Sequence, residues 1–445
     1  MNHISMQQNF GARRLSYFVA AAVLQLIASA AFAETTAFVG ATIMPVSDDP
    51  IEDGVLIVED GKIRALGTPG SVRIPRDAVL IDVANSVIIP GLVDTHSHIG
   101  EPAGADRSSP IQPEARVLDS INVRDAGFKR ALAGGITTVN LMSGSGHLMS
   151  GQTIYVKLRE GNAIETIAYK KENGSVDGGM KMANGSNPRR DPPFPGTRAK
   201  AASLVRQKYV AAQEYMKKIE AADGDEEKMP DRDLAMEALV EVLKGERIVH
   251  HHTHRHDDIL TVLRLQKEFG YRVVLHHVSE AHRVADEIAA ADVPVSLIMI
   301  DSPGGKLEAM YIDFKNAPAL EQAGARVAFH TDDYISDSRL FMRMAALGVR
   351  AGMTRETALN ALTLEPAKML DLDDRIGSLE RGKDADFVVL SGDPFSVYTR
   401  VQQTWVEGVK RFDIDDADDR AVAEGGFGAL QPSVVHEFHG YEEGH

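Results

Sequence analysis

"VIIPGLVDTHSHIG", residues 87–100, runs apolar until it ends in two histidines one residue apart. In an extended strand residues i and i+2 share a face, so His96 and His98 point the same way. Packing alone rarely asks for two imidazoles at the end of a buried strand, so the rest of the chain decides what they serve.

Seven further strand-like runs follow: "GITTVNLM", "QTIYVKL", "GGMKMANG", "ERIVHHHTH", "YRVVLHHV", "VPVSLIM" and "ARVAFHTDD". Most are followed by helical stretches, such as 200–220, 256–269 and 281–291. Eight strand–helix repeats predict an α/β fold, a (β/α)8 TIM barrel over residues 91–379. On either side lie short strands punctuated by turns. Asp60-Gly61 and Glu407-Gly408 fall at hairpin positions. Residues 34–90 and 380–412 are therefore expected to pair as one composite β-sandwich domain. Residues 413–445 are acidic and Gly-rich, and read as a loosely held tail.

The chain has 445 residues, a formal net charge of −16 and no cysteine. Its length suits a barrel with an added domain. The acidic balance argues against nucleic acid or an anionic membrane as partner. Without cysteine there are no disulfides, thiolate metal sites or Cys nucleophile. Residues 1–33 place Arg13 and Arg14 before an apolar stretch that ends in Ala31-Phe32-Ala33. This is the order of a secretory signal peptide, with cleavage expected after Ala33. The expectation is a periplasmic or secreted protein with no stable membrane span after signal removal. A homo-oligomer is compatible with this reading.

The histidine pair gains meaning from the other strands. His252 in the fifth, His277 in the sixth and Asp332 in the eighth each sit near the strand's C-terminal end, where barrel active sites are built. Alternation puts His250, His252 and His254 on one face and turns His251 outward. It also predicts that only one of His276 and His277 enters the barrel. Four imidazoles and a carboxylate at one mouth are costly without a shared partner. Nitrogen and oxygen donors without sulfur suit Zn²⁺, ahead of Fe²⁺ or Mn²⁺.

"PGLVDTHSH", the later single histidines, "HTDD" and "GSLERGKDADFVVLSGDP" together resemble the amidohydrolase superfamily of metal-dependent hydrolases. The resemblance runs from about Thr36 to Phe412. It is nearest to the imidazolonepropionase-related branch and the metal dipeptidases and prolidases. It implies His96, His98, His252, His277 and Asp332 as ligands of one or two divalent ions. It also implies Lys181 of "GGMKMANG" as a carboxylated lysine bridging two ions. Lys157 is the rival for that role, though by count it falls on the third strand. The bland reading of Lys181 is an ion-paired lysine.

The chemistry expected is hydrolysis of a C–N bond in a small amide or dipeptide-like substrate, such as a dipeptide or an N-acyl amino acid. Asp332 is the catalytic carboxylate that takes a proton from metal-activated water. His254, His330 and Arg189 are candidate substrate-binding residues, Arg189 through a bidentate grip on a carboxylate. A mononuclear deaminase or cyclic-amide hydrolase is the alternative enzyme. A catalytically silent binding protein on the same barrel is the alternative of another class.

Overall fold

The computed structural model describes residues 35–100, 102, 106–299, 307–333 and 335–426. The expected signal segment and the tail from residue 427 lie outside the described residues. Strands β1 (Thr36–Ile43), β2 (Ile51–Glu59), β3 (Lys62–Gly67), β4 (Val79–Asp82) and β5 (Val87–Pro90) come first. The central strands are β6 (Leu92–Ser97), β7 (Ile136–Leu141), β8 (Met149–Gln152), β9 (Ile154–Lys157) and β10 (Met180–Ala183). They continue as β11 (Val249–Thr253), β12 (Val273–His277), β13 (Val295–Leu297) and β14 (Val327–Phe329). β15 (Phe387–Leu390), β16 (Val401–Val406) and β17 (Val409–Asp413) close the series.

The two flanks meet in one eight-stranded sheet, ordered β17-β16-β15-β5-β1-β2-β3, with β4 on β1. The join is antiparallel, Phe387 opposite Pro90 and Leu390 opposite Val87. Hydrogen bonding gathers all eight strands into a single mixed sheet. Phe387 stacks on Trp405 at 5.7 Å, and Phe38 meets both edge-on at 4.9 Å. The hairpin turns have the backbone their sequences call for. Asp60 and Gly61 have φ of 53° and 73°, Glu407 and Gly408 of 50° and 71°. Two consecutive positive φ values match the twist of two-residue hairpins.

The central strands form a mixed α/β unit. β10 to β14 are parallel in a six-stranded sheet with β8 at its edge, while β6, β7 and β9 form a second sheet. Backbone bonds link the two sheets on both sides. Asp332 N donates to His96 O at 2.9 Å and His98 N to Asp333 O at 2.9 Å. On the other side Thr153 N donates to Gly179 O at 2.9 Å and Tyr155 N to Asp177 O at 3.1 Å. The helices pack outside in amphipathic register. In His256–Phe269, buried Ile259, Val262 and Leu263 recur at helical spacing, acids fill the first turn, and Gly270 at φ 75° caps the end. Thr197 caps Arg198–Ala222, its hydroxyl accepting from Lys200 N.

One expected direction is corrected. The third strand run does not lie parallel to its neighbours: β9 is antiparallel to β7, and β8 antiparallel to β10. Between β7 and β9 the chain forms β8 rather than a crossover helix, and it returns antiparallel along β7. Lys157 therefore pairs with Thr138 near the start of β7, at the opposite end from His96 and His98. The tail reading also changes for its first part. Ala417–Glu424 is a helix, and the Arg339 guanidinium donates to Val422 O and Gly425 O at 2.9 and 2.7 Å.

Candidate metal centre

His96 and His98 leave β6 on the same face and turn their Nε2 atoms to one carboxylate oxygen. Asp332 Oδ1 lies 3.2 Å from His96 Nε2 and 2.9 Å from His98 Nε2. Asp332 follows β14 at φ 52°, a left-handed conformation that Asp adopts more readily than most residues. His98 Nδ1–H donates to Met142 O at 2.7 Å, which fixes the ring with Nε2 turned to Asp332.

Both histidines at the end of β12 reach His96, with ring centroids at 5.0 Å for His276 and 4.9 Å for His277. This corrects the expectation that only one enters. His277 and Val278 have φ of 70° and 43°, so the strand's alternation breaks where the second ring is set. His277 Nδ1 lies 3.9 Å from Asp332 Oδ2, and its Nε2 is buried without a hydrogen bond. His252 and His254, on β11 and just past it, complete the mouth, their rings 4.7 Å apart and 4.4 and 4.9 Å from His277. His254 Nδ1 is 2.7 Å from Ser279 Oγ.

Among the described residues, ligand-capable atoms fall into three groups, each within 4.8 Å: His96, His277 and Asp332; His252, His254 and His277; and His96, His276 and His330. Burial holds His96, His276 and His277 well below the ordinary imidazole pKa, and lowers His250 and His330 to about 3. Burial by itself would raise Asp332, but His96, His98 and His277 hold it well below the carboxylate range. Neutral imidazoles around an ionised carboxylate are the donor set of a divalent transition metal. The buried Nε2 of His277, which has no protein hydrogen bond, fits the same role.

Lys181 on β10 is fully buried, its Nζ donating to His96 Nε2 at 3.0 Å and to Met142 Sδ at 3.1 Å. The rival Lys157 belongs to another cluster. It contacts Asp384, with Asp386 Oδ2 at 3.0 Å and Glu407 Oε1 at 3.6 Å. Burial opposes its charge, but Asp386 and Asp384 raise its pKa above the ordinary lysine value. An ammonium so held cannot take up CO₂.

The three candidate substrate residues part company. His254 lies in the mouth. His330 is fully buried one layer deeper, its ring nitrogens 2.9 Å from Ser296 Oγ and 3.2 Å from His277 Nδ1. Arg189 is exposed, and its Nε donates to Gly196 O at 3.3 Å. Two residues escaped the sequence reading. Glu308 Oε1 lies 3.2 Å from His252 Nε2, and its Oε2 accepts from Ser186 N at 2.6 Å. Asp94, two residues before His96, accepts from the backbone N–H of both His96 and Thr331. The "VDTH" context could have flagged Asp94; nothing local marks Glu308.

Residues 87–416 match the sequence profile described as the Amidohydrolase family. The chain is 26% identical over 399 residues to amidohydrolase tasK of Hapsidospora irregularis, covering 83% of this chain but 40% of that protein. It thus spans less than half the length of this relative. With an imidazolonepropionase of Rhizobium rhizogenes it shares 24% identity over 76% of this chain and 86% of that one. Among solved structures, an amidohydrolase from Thermotoga maritima MSB8 superposes with a TM-score of 0.78 at 33% identity. That match covers 85% of this chain and all of the other.

Proposed function

The chain belongs to the amidohydrolase family, and from that membership we propose that it hydrolyses a C–N bond in a small amide or dipeptide-like substrate. One or two divalent ions, zinc foremost, would be held among His96, His98, His252, His277 and Asp332. The observation that carries this reading is the convergence of His96 Nε2 and His98 Nε2 on Asp332 Oδ1, with His277 Nδ1 3.9 Å from Asp332 Oδ2. We read the two linked central sheets as the family's barrel with one strand reversed. Residues 34–90 and 380–412 are read as its accessory β domain.

A bound divalent ion supplies water of lowered pKa and an electrophilic clamp for the scissile carbonyl. Asp332, ionised and aimed into the cluster, takes the proton of the attacking water and returns it to the leaving nitrogen. His98, fixed by Met142 O, and His96 would hold the ion beside that carboxylate. His254 stands at the mouth, where a substrate oxygen would enter. Lys181 is read as a carbamate: a neutral Nζ adds to the carbon of CO₂, the N–C bond forms as one C=O π pair moves onto oxygen, and an Nζ proton passes to water, giving an anion that would help hold divalent ions. Its Nζ faces the His96 atom that a cation would use, so an ammonium there would repel the ion, and the carbamate removes that conflict.

Cyclic-amide hydrolysis is the second reading, supported by the length over which the imidazolonepropionase aligns. Export is a separate proposal, supported by the basic, apolar and Ala31-Phe32-Ala33 order of residues 1–33. No helix among the described residues is long and apolar enough to cross a membrane.

Metal analysis and a panel of dipeptides, N-acyl amino acids and cyclic amides test the reading. The wild type should carry divalent metal and hydrolyse one class, and the His96→Ala/His98→Ala double variant should lose both. Equal metal content in the two proteins would exclude this site.

A further inference from the structure

Beneath the mouth lies a second layer of histidines that the hydrolytic reading does not use. His96 Nδ1 is 3.3 Å from His276 Nδ1, His276 Nε2 is 3.0 Å from His250 Nδ1, and His250 Nε2 is 3.0 Å from the Tyr155 hydroxyl. A parallel chain starts at His277. Its Nδ1 is 3.2 Å from His330 Nε2, His330 Nδ1 is 2.9 Å from Ser296 Oγ, and Ser296 Oγ is 2.7 Å from Thr95 Oγ1. All these side chains are buried.

We propose that His276 and His330 are positioning residues that fix the tautomers of His96 and His277, so that both present an Nε2 lone pair to the metal. This rests on the metal-centre reading above. A neutral imidazole carries one proton, so each chain can run in one of two directions. If His96 Nε2 is a ligand, its proton sits on Nδ1 and donates to His276 Nδ1. His276 must then donate from Nε2 to His250 Nδ1, and His250 from Nε2 to the Tyr155 oxygen. The reverse direction puts a proton on His96 Nε2, the atom facing Asp332, and removes the lone pair. The second chain follows the same rule: His277 Nδ1–H donates to His330 Nε2, and His330 Nδ1–H to Ser296.

His98 shows what these partners replace. Its Nδ1–H is held by a backbone carbonyl, the usual outer partner of a metal-bound histidine. His96 and His277 have imidazoles in that place. The fold makes room for the column at Gly179, where an added Cβ would lie 2.3 Å from the His250 ring.

Two measurements test this. In zinc-loaded protein labelled with ¹⁵N-histidine, ring nitrogen shifts should show Nδ1–H on His96, His277 and His330, and Nε2–H on His276 and His250. In chelator competition, His276→Leu should bind zinc roughly 10–100-fold more weakly than wild type. His276→Gln should recover most of that loss, because its carbonyl oxygen can accept from His96 Nδ1–H. Nδ1–H on His276, or wild-type affinity in His276→Leu, overturns the inference while leaving the metal centre intact. If His276→Leu does not fold, the tautomers of the wild type decide alone. A wild type that takes up no zinc overturns the metal reading, and this inference with it.

Discussion

The Asp94 carboxylate accepts a 2.5 Å hydrogen bond from the Thr331 hydroxyl, joining the strand that carries His96 to the one that leads to Asp332. Its other oxygen accepts from His96 N at 3.1 Å and Thr331 N at 3.2 Å. Burial pushes its pKa up to about 7. Asp94→Asn keeps the shape but turns one acceptor into a donor that faces donors. It should cost about 1–3 kcal/mol of stability in the metal-free protein. Metal affinity should fall roughly tenfold or more. Denaturant titration and chelator competition measure the two effects, and wild-type values in both would show that the clamp is not needed.

Much of this site is readable as pattern. The spacing of His96 and His98 on one strand face and the late "HTDD" name residues that the fold brings within hydrogen-bonding distance. What sequence did not carry was direction and backbone sign. The run at Ile154–Lys157 has strand character, but propensity does not tell parallel from antiparallel, and the length of 142–153 leaves both directions open. Strict alternation failed at His277 because a positive φ at a strand end resets which way the next ring points. Glu308 was invisible because its contacts with His252 and Ser186 come from segments distant in the chain.

Glu308 gives a second prediction. Burial would raise its pKa, but the His252 and His254 rings and the Ser186 N–H hold it below the ordinary carboxylate range. An ionised carboxylate on His252 Nε2 orients that ring and makes it more basic. Glu308→Gln should retain the fold and weaken metal binding roughly 10-fold. Chelator competition with unchanged far-ultraviolet dichroism would show this, and undiminished affinity would remove Glu308 from the site's support.

The cluster around Lys157 predicts a pH dependence far from the site. Burial opposes ionisation of Asp384, yet Lys157, Lys62 and Arg375 hold its pKa down, to about 2 against an ordinary 3.8. A depressed acid stabilises the fold fully above its unfolded pKa and stops doing so as pH falls through its folded one. Asp384→Asn should therefore be less stable than wild type by about 3 kcal/mol at neutral pH. The gap should hold down to about pH 4 and narrow between there and pH 2. Urea titrations across that range provide the check; a gap that widens on acidification would contradict the assignment.

The last prediction concerns whether one ion or two sit in the mouth, and Lys181 decides it. Its Nζ lies 3.0 Å from His96 Nε2 in a fully buried place, so it cannot stay an ammonium beside a bound cation without strong repulsion. If it becomes a carbamate that bridges two ions, Lys181→Ala should lose at least one equivalent of metal and most activity. Short carboxylic acids should then restore part of the activity by filling the vacated position. Reconstitution of metal-free wild type should also be faster with added bicarbonate, because the carbamate carbon comes from CO₂. If the site holds a single ion, His96, His98, Asp332 and one of His252 or His277 suffice. Lys181→Ala would then keep one metal per chain, and bicarbonate would change nothing. One metal and full activity in Lys181→Ala, together with bicarbonate-independent reconstitution of the wild type, would reject the binuclear centre and leave the hydrolase reading standing.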